Sequence, residues 1–243
     1  MIEDGNQDNS QQVGSVLMIG QSNMAGRGNI EDVEPIRDRR CFMLRNGRWQ
    51  PMREPVNPDR PIFEGMFRSG VSLGASFAGD YAKHFDAPVG LIPCADGGTS
   101  MEQWMPGKLL YDHAVCLTRL AQRTSTLKAI LWHQGESDCH GQDAVDAYKE
   151  KFIGMITQLR KDLGAGDVPV IMGELHTGMA EKYKFHDYPV KLNAIFHQIA
   201  RELPNCAVAS SEGLQLKPDG LHFDAVSLRT FGSRYFERYL QIK

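Results

Sequence analysis

Val-Leu-Met-Ile-Gly-Gln-Ser-Asn-Met at residues 16–24 is the stretch that decides the fold. Its four leading residues are apolar, and the run stops at a small polar turn that contains Ser22. A continuous apolar run of this length is typical of a strand buried on both faces, as in a parallel sheet. Functional groups of open α/β sheets gather at the carboxyl ends of such strands. Ser22 therefore lies where a nucleophile would lie.

Strand-like and helix-like segments alternate through the rest of the chain. The predicted strands are Val16–Gly20, Pro88–Cys94, Leu127–His133, Val168–Leu175 and Cys206–Ser210. The predicted helices are Val71–Phe85, Tyr111–Arg123, Gln142–Leu163, Pro189–Leu203 and Ala225–Leu240. A hairpin is predicted at Cys41–Arg45 and Arg48–Pro51, because Asn46-Gly47 is a strong turn signal. Five strands that alternate with helices predict an α/β fold with a parallel sheet and helices on both faces.

Length and composition favour one ordinary globular domain. The 243 residues are 42% hydrophobic and 23% charged, with a formal net charge of −3. This charge gives no reason to expect nucleic acid or an anionic membrane surface as a partner, and no apolar run is long enough to span a membrane. Because no repeat or linker interrupts residues 15–243, we expect a single domain there, after a disordered polar tail at residues 1–14.

The N-terminal residues and the cysteines bear on the cellular compartment in which the protein is expected. Residues 1–14 are too polar for the apolar part of a signal peptide, so the chain as written is expected to be cytoplasmic. A signal peptide removed beforehand would instead make it a secreted protein. The five cysteines are scattered, with no pattern of a disulfide framework or a metal knuckle. The sequence leaves the oligomeric state open.

The far end of the chain supplies a possible partner for Ser22. Asp219-Gly220-Leu221-His222 offers a base and a carboxylate to orient it, which a nucleophilic serine needs. Each motif alone has a plainer interpretation as a turn or a helix N-cap. The catalytic interpretation is favoured by two further polar strand ends, Ala-Asp-Gly-Gly-Thr-Ser at 95–100 and Trp-His-Gln-Gly-Glu-Ser-Asp at 132–138.

Ester hydrolysis also needs hydrogen-bond donors for the oxyanion of the tetrahedral intermediate. The backbone N–H of Ser22 would be one donor. The Gly97-Gly98 turn could supply a second, because no Cβ there blocks the approach of a carbonyl to the backbone. A side-chain amide could supply a third, and Gln134 directly follows a predicted strand.

Four motifs together resemble the SGNH (GDSL-like) hydrolases. They are Gly-Gln-Ser-Asn-Met at 20–24, Gly-Gly-Thr-Ser at 97–100, His-Gln-Gly-Glu-Ser-Asp at 133–138 and Asp-Gly-Leu-His at 219–222, in the order of that family. The chain is similar to the branch of sialate O-acetylesterases and carbohydrate esterase family 6 acetylxylan esterases over nearly its whole length. The resemblance implies a flavodoxin-like three-layer α/β/α sandwich, a serine esterase mechanism without metal or cofactor, and an acetylated carbohydrate as substrate.

The resemblance also implies a role for each matching residue. It makes Ser22 the nucleophile, His222 the base and Asp219 the partner of the base. The oxyanion donors that it implies are the N–H groups of Ser22 and Gly97, with Gly97 preferred over Gly98, and the side-chain amide of Gln134, where the broader superfamily has asparagine.

Three residues near these motifs are candidates for substrate binding. Asn23 and Arg27 lie beside the nucleophile in sequence and could position the substrate. Trp104, which follows the Gly97 turn, is either a sugar-stacking platform or a loop anchor.

Two other arrangements are disfavoured. Glu136 and Asp138 could form the carboxylate pair of a glycosidase, but a buried structural Glu136 that holds the loop presenting Gln134 is favoured. No metal site is predicted, because no fourth ligand lies at a usable spacing from His133, Cys139 and His140.

We therefore expect a serine esterase that removes O-acetyl groups from carbohydrates, of acetylxylan or O-acetyl sialic acid type, through an acetyl-enzyme intermediate. Two alternatives stay open. One is a broad short-chain carboxylesterase or lipase, and the other is a carbohydrate-binding module of the same fold that has lost turnover.

Overall fold

A mostly parallel sheet forms the centre of the computed structural model, which describes residues 12–59 and 68–242. Within these residues the sheet has seven strands in the order β3-β2-β4-β1-β5-β6-β7. The strands are β1 (Val13–Gly20), β2 (Cys41–Arg45), β3 (Arg48–Pro51), β4 (Val89–Pro93), β5 (Ser125–His133), β6 (Val170–Gly173) and β7 (Cys206–Ala209). Neighbouring strands are parallel except in the β2–β3 hairpin. The predicted α/β fold is confirmed.

The predicted number of five strands is wrong, because the predicted hairpin joins the sheet. β2 pairs in parallel with β4, with Cys41 opposite Val89 and Met43 opposite Leu91. Cys41 and Met43 are both buried. Both side chains lie on the face of the sheet whose core includes residues of the helix Leu73–Phe85, so β2 is stabilised by tertiary packing as well as by pairing with β4.

The helices cover both faces of the sheet, which makes the fold a three-layer α/β/α sandwich. They are α1 (Ser22–Ala25), α2 (Leu73–Phe85), α3 (Leu109–Gln122), α4 (Gln142–Asp162), α5 (Met179–Tyr183), α6 (Tyr188–Glu202) and α7 (Ala225–Ile242). Leu17 and Ile19 of β1 pack into one core with α3, α4 and α6. Val16 and Met18 pack into the other core with α2 and α7. The apolar run at the start of the deciding stretch is thus buried on both faces, as its composition predicts.

The ends of three adjacent strands bring the polar motifs together. β1 lies between β4 and β5, so residues that follow these strands meet at one edge of the sheet. The Gln21 N–H donates to the His133 carbonyl at 2.8 Å, and the Asp96 N–H donates to the Gly20 carbonyl at 3.0 Å. These bonds continue the parallel pairing beyond the ends of β1 and β4 and fix where Ser22 begins α1.

The two ends of the chain differ slightly from expectation. β1 begins at Val13, so residues 13 and 14 belong to the sheet and not to the predicted disordered tail. Residues 1–11 of that tail lie outside the described residues. In the part of the chain that the structure describes, none of the helices combines the length and the apolar character needed to cross a bilayer.

Close packing of α2 against α7 gives a test of the fold. A Cβ on Gly232 of α7 would lie 2.1 Å from the Leu73 carbonyl oxygen, so Gly232→Ala must push the two helices apart. We expect the free energy of unfolding, measured with urea, to fall by about 1–3 kcal/mol. Gly154→Ala is the matched control, since Gly154 is an exposed position of α4 with no atom within 4 Å of the added Cβ. It should raise stability by about 0.5–1 kcal/mol. Equal stability of the two variants would contradict the packing.

Candidate active site

Ser22 reaches the site because β1 ends at a glycine. Gly20 has a φ of +128°, and a Cβ there would lie 2.1 Å from the His133 carbonyl oxygen. Only glycine allows this turn so close to β5. The chain then enters α1 with Ser22 as its first residue, 5% exposed and lining a pocket of about 250 Å³.

The structure brings Ser22, His222 and Asp219 together. His222 Nε2 lies 3.0 Å from Ser22 Oγ, and His222 Nδ1 lies 2.9 Å from Asp219 Oδ2. Nucleophile, base and orienting carboxylate thus form one hydrogen-bonded chain across residues that are 200 positions apart in sequence.

A local turn makes the Asp219–His222 pair compact. Asp219 Oδ1 accepts hydrogen bonds from the N–H groups of Leu221 and His222, each at 2.9 Å. Gly220, between Asp219 and Leu221, has a φ of +69°, which is the left-handed conformation that favours glycine. The spacing Asp-x-x-His therefore lets one carboxylate bind both the backbone and the imidazole of the same turn.

Asp219 stays ionised in this setting. Its partial burial alone would raise the pKa of the carboxyl, but the N–H groups of His222 and Leu221 and the His222 imidazole outweigh burial and lower the pKa. An ionised Asp219 holds the Nδ1–H tautomer of His222 and leaves Nε2 as the acceptor for the Ser22 hydroxyl.

Asn23 holds the His222 turn, and the prediction that it binds substrate is wrong. Asn23 is 1% exposed. Its Oδ1 accepts from the Phe223 N–H at 3.1 Å, and its Nδ2 donates to the Leu221 carbonyl at 3.3 Å. The amide therefore binds the backbone on both sides of His222. It acts beneath the catalytic residues and not in the pocket.

Glu136 in turn holds Asn23. Asn23 Nδ2 donates to Glu136 Oε1 at 2.7 Å, and His133 Nε2 lies 3.4 Å from the same oxygen. Burial alone would raise the pKa of the Glu136 carboxyl, but the contacts with His133 and Asn23 outweigh it and lower the pKa. Glu136 is a buried structural acid as predicted, but it supports the His222 turn through Asn23 and does not bind Gln134.

Gly97 lies next to the nucleophile. A Cβ on Gly97 would be 3.5 Å from Ser22 Cβ, whereas a Cβ on Gly98 would have no atom within 4 Å. Both glycines line the pocket. Ser22 is the first residue of α1, so its N–H has no acceptor within the helix and is also available. These positions favour Gly97 over Gly98 as the second backbone donor, as the motif spacing suggests.

Gln134 does not reach the pocket, which is a correction to the predicted side-chain donor. Its side chain is fully buried. Nε2 lies within hydrogen-bonding distance of the Thr99 carbonyl, Asp138 Oδ2 and Gln21 Oε1. Oε1 accepts from the Tyr148 hydroxyl at 2.9 Å. Both amide hydrogens are thus already used beneath the site, where Gln134 joins the loops that follow β4 and β5.

Gln21 is a pocket residue that the sequence analysis did not single out. Its Oε1 accepts from the Ser137 N–H at 3.3 Å and faces Gln134 Nε2 at 3.2 Å. Because a backbone N–H can only donate, this contact fixes the orientation of the Gln21 amide. Gln21 lines the pocket and directly precedes Ser22, so its NH₂ group is a candidate side-chain donor.

Trp104 is a loop anchor, and the sugar-stacking alternative is wrong for it. The side chain is 1% exposed and packs edge-on against Trp132. Its Nε1 donates to Thr99 Oγ1 at 3.0 Å. Trp104 thereby stabilises the loop that carries Gly97 and has no face left for a ligand.

Arg27 lines the pocket, and its predicted role in positioning substrate stays a prediction. A Cβ on Gly97 would lie 2.6 Å from Arg27 Nη2, so the guanidinium lies against the Gly97 turn. It is the one residue of the predicted substrate-binding set that the structure puts in the pocket lining, among the described residues.

Aromatic residues from distant segments also line the pocket. They are His140, Tyr183 and Phe185. The sequence analysis did not single out these side chains. Tyr183 ends α5, Phe185 follows that helix, and His140 comes from the loop before α4, so no single local motif marks them.

No metal centre is formed in the part of the chain that the structure describes. Within residues 12–59 and 68–242, no three His, Cys, Asp or Glu side chains converge as ligands. His133 instead faces Tyr235 and Glu136, and His140 lies against Phe185.

Comparison with known families agrees with this geometry. A family model described as "Carbohydrate esterase, sialic acid-specific acetylesterase" matches residues 13–241. The curated protein "Probable carbohydrate esterase At4g34215" of Arabidopsis thaliana is 29% identical, with 92% of this chain and 89% of that protein covered.

Solved structures share the fold over nearly the whole chain. The Arabidopsis thaliana AT4G34215 protein superposes with a TM-score of 0.84 at 27% identity, covering 95% of this chain and 98% of that one. NanS superposes with a TM-score of 0.75 at 18% identity, covering 96% and 98%. A carbohydrate acetylesterase from Xanthomonas citri has a TM-score of 0.64 at 18% identity, covering 94% of this chain and 56% of that one. The last two likenesses concern the fold alone.

The buried carboxylate of Glu136 predicts a pH-dependent contribution to stability. Its pKa in the folded protein is below that of the unfolded chain, so the contribution is full above the unfolded value and is lost as the pH falls through the folded value. Glu136→Gln should therefore show a shallower loss of unfolding free energy on acidification, by up to about 1.4 kcal/mol per pH unit. Urea titrations between mildly acidic and strongly acidic buffers measure this slope. Identical slopes in variant and wild type would show that Glu136 titrates alike in both states.

Proposed function

Because the chain belongs to the carbohydrate esterase, sialic acid-specific acetylesterase family, we propose that it removes O-acetyl groups from carbohydrates through an acetyl-enzyme at Ser22. The chain is a carboxylic ester hydrolase. The observation that carries the proposed mechanism is the unbroken contact from Ser22 Oγ through His222 to Asp219, at 3.0 and 2.9 Å.

The first half of the proposed reaction transfers the acetyl group. Ser22 Oγ attacks the acetyl carbonyl carbon while His222 Nε2 takes the hydroxyl proton. Asp219 stabilises the imidazolium that forms. The C–O bond to the sugar then breaks, and His222 returns the proton to the departing sugar oxygen. The products of this half are the free sugar hydroxyl and acetyl-Ser22.

The second half releases acetate by the same proton path. His222 takes a proton from a water molecule, whose oxygen attacks the acetyl carbon of acetyl-Ser22. The bond to Ser22 Oγ breaks, and Ser22 recovers its proton from His222. Acetate leaves and the enzyme returns to its starting state.

Three N–H donors would stabilise the oxyanion in both halves. They are the backbone N–H groups of Ser22 and Gly97 and the side-chain NH₂ of Gln21. Each such donor is worth about 3–4 kcal/mol when it is aimed at the developing charge. The buried contacts of Gln134 and Trp104 hold the loops that carry them, so the donors need little reorganisation during the reaction.

Acetate release tests this proposal directly. Purified protein is expected to release acetate from at least one of a panel of acetylated xylo-oligosaccharides and O-acetyl sialic acids, and to hydrolyse p-nitrophenyl acetate. Ser22→Ala and His222→Ala should each lower kcat/KM by at least about 10³-fold, and the double variant should lose no more, because the two residues act as one unit. Thermal unfolding of each variant is the control for the fold.

Three results would contradict the proposal. Undiminished turnover in both variants would exclude Ser22 and His222. Tight binding of the glycans without acetate release would indicate a binding module. Faster hydrolysis of butyrate or hexanoate than of acetate esters would indicate a broad short-chain esterase or lipase.

The Asn23 contacts predict that this residue acts through His222. Asn23→Ala should lower kcat by about 10-fold or more and change KM little, because the base turn loses the amide that binds both its sides. A double-mutant cycle measures this. In the His222→Ala background, removal of Asn23 should cost far less than in the wild type. Equal, additive losses in both backgrounds would mean that Asn23 has only a general structural role.

A further inference from the structure

The lining of the pocket that contains Ser22 includes an exposed aromatic ring. Tyr183 is 38% exposed, although large apolar rings are usually buried. It lines the same pocket as Ser22 and His222. An exposed ring inside a concave site is typical of ligand binding.

The ring is supported from behind. Tyr183 stacks on Phe185 with 5.5 Å between ring centroids and 24° between planes. Phe185 is buried and packs edge-on against His140 at 4.9 Å. Because Phe185 covers one face of the tyrosine ring, the exposed area belongs to the other face and the edge.

Residues 182–186, the segment that contains Tyr183, are also hydrogen-bonded to the turn that carries the base His222. The Tyr183 hydroxyl donates to the Asp219 carbonyl at 3.0 Å, and Lys182 Nζ donates to the Pro218 carbonyl at 2.7 Å. Lys184 and His186, on either side of Phe185, have φ values of 55° and 51°. Non-glycine residues rarely adopt this conformation, so the packing of Phe185 holds the segment in its place.

From this arrangement we propose that Tyr183, stacked on Phe185, binds the pyranose ring that carries the acetyl group. This inference rests on the proposed function and names the part of the site that recognises the sugar. A pyranose has an apolar face of C–H groups that packs against an aromatic face, while its hydroxyls stay hydrated at the open side of the pocket. With the sugar on Tyr183, its acetyl group would lie in the pocket that Ser22 also lines. The proposal thus assigns to Tyr183 the platform sought at Trp104.

Two acetate esters with different alcohols separate sugar binding from catalysis. An O-acetylated monosaccharide offers a ring to Tyr183, and ethyl acetate shares the acyl group but has no ring. We expect Tyr183→Ala to lower kcat/KM for the sugar ester about 5- to 10-fold more than for ethyl acetate, mainly through KM. Tyr183→Phe keeps the ring and loses only the bond to Asp219, so the wild-type ratio between the two substrates should persist. Glu181→Ala, on the exposed side of α5, is the matched control.

Each of the other possible outcomes would contradict one part of the proposal. If Tyr183→Ala lowers kcat/KM equally for both substrates, their ratio is unchanged. This result would exclude the platform and show that Tyr183 acts only through the Asp219 turn. A selective loss on p-nitrophenyl acetate but not on the sugar ester would assign the ring to aromatic alcohols. A wild type that cleaves ethyl acetate and none of the acetylated sugars would overturn the proposed function and the platform with it.

Discussion

A hydrogen bond between Ser22 Oγ and His222 Nε2 joins the two ends of the described chain, and the rest of the site is arranged around it. The serine comes from the carboxyl end of β1, whose position is fixed by pairing with β4 and β5. The histidine comes from a turn just before α7 that lies outside the sheet and is closed by an isolated antiparallel bridge between Leu216 and Phe223. A reaction that needs the two side chains in contact therefore depends on whatever holds that turn.

The polar network beneath the site meets this need. Asn23 lies next to the nucleophile in sequence and binds the backbone on both sides of the base. This one residue therefore fixes the position of His222 relative to Ser22. Glu136 binds Asn23 from the end of β5. Buried polar groups are costly when unpaired, so a network of this kind has few alternative arrangements. Its contribution is a fixed geometry at the catalytic atoms rather than a large gain in stability.

Much of the fold and the nucleophile–base pair could be predicted from local patterns. The apolar run before Gly20 indicates a strand buried on both faces, and Asp219-Gly220-Leu221-His222 is a self-contained turn whose geometry its own residues determine. The side-chain orientations of Gln134 and Trp104 could not be predicted, because contacts with residues of other loops decide whether these side chains are buried or face the pocket. Gln21 and Tyr183 were missed for the same reason. The role of a glutamine depends on which side of a loop its amide faces, and that is a tertiary property.

Covalent labelling of Ser22 tests the central claim most directly. The protein is treated with a serine-directed fluorophosphonate, digested, and mapped by mass spectrometry, with His222→Ala treated in parallel. If the Ser22–His222 contact activates the hydroxyl, the wild type will carry the phosphonyl group on Ser22, and the variant will be labelled far more slowly. Labelling of a different serine, or continued ester hydrolysis by a protein whose Ser22 is fully blocked, would contradict the account.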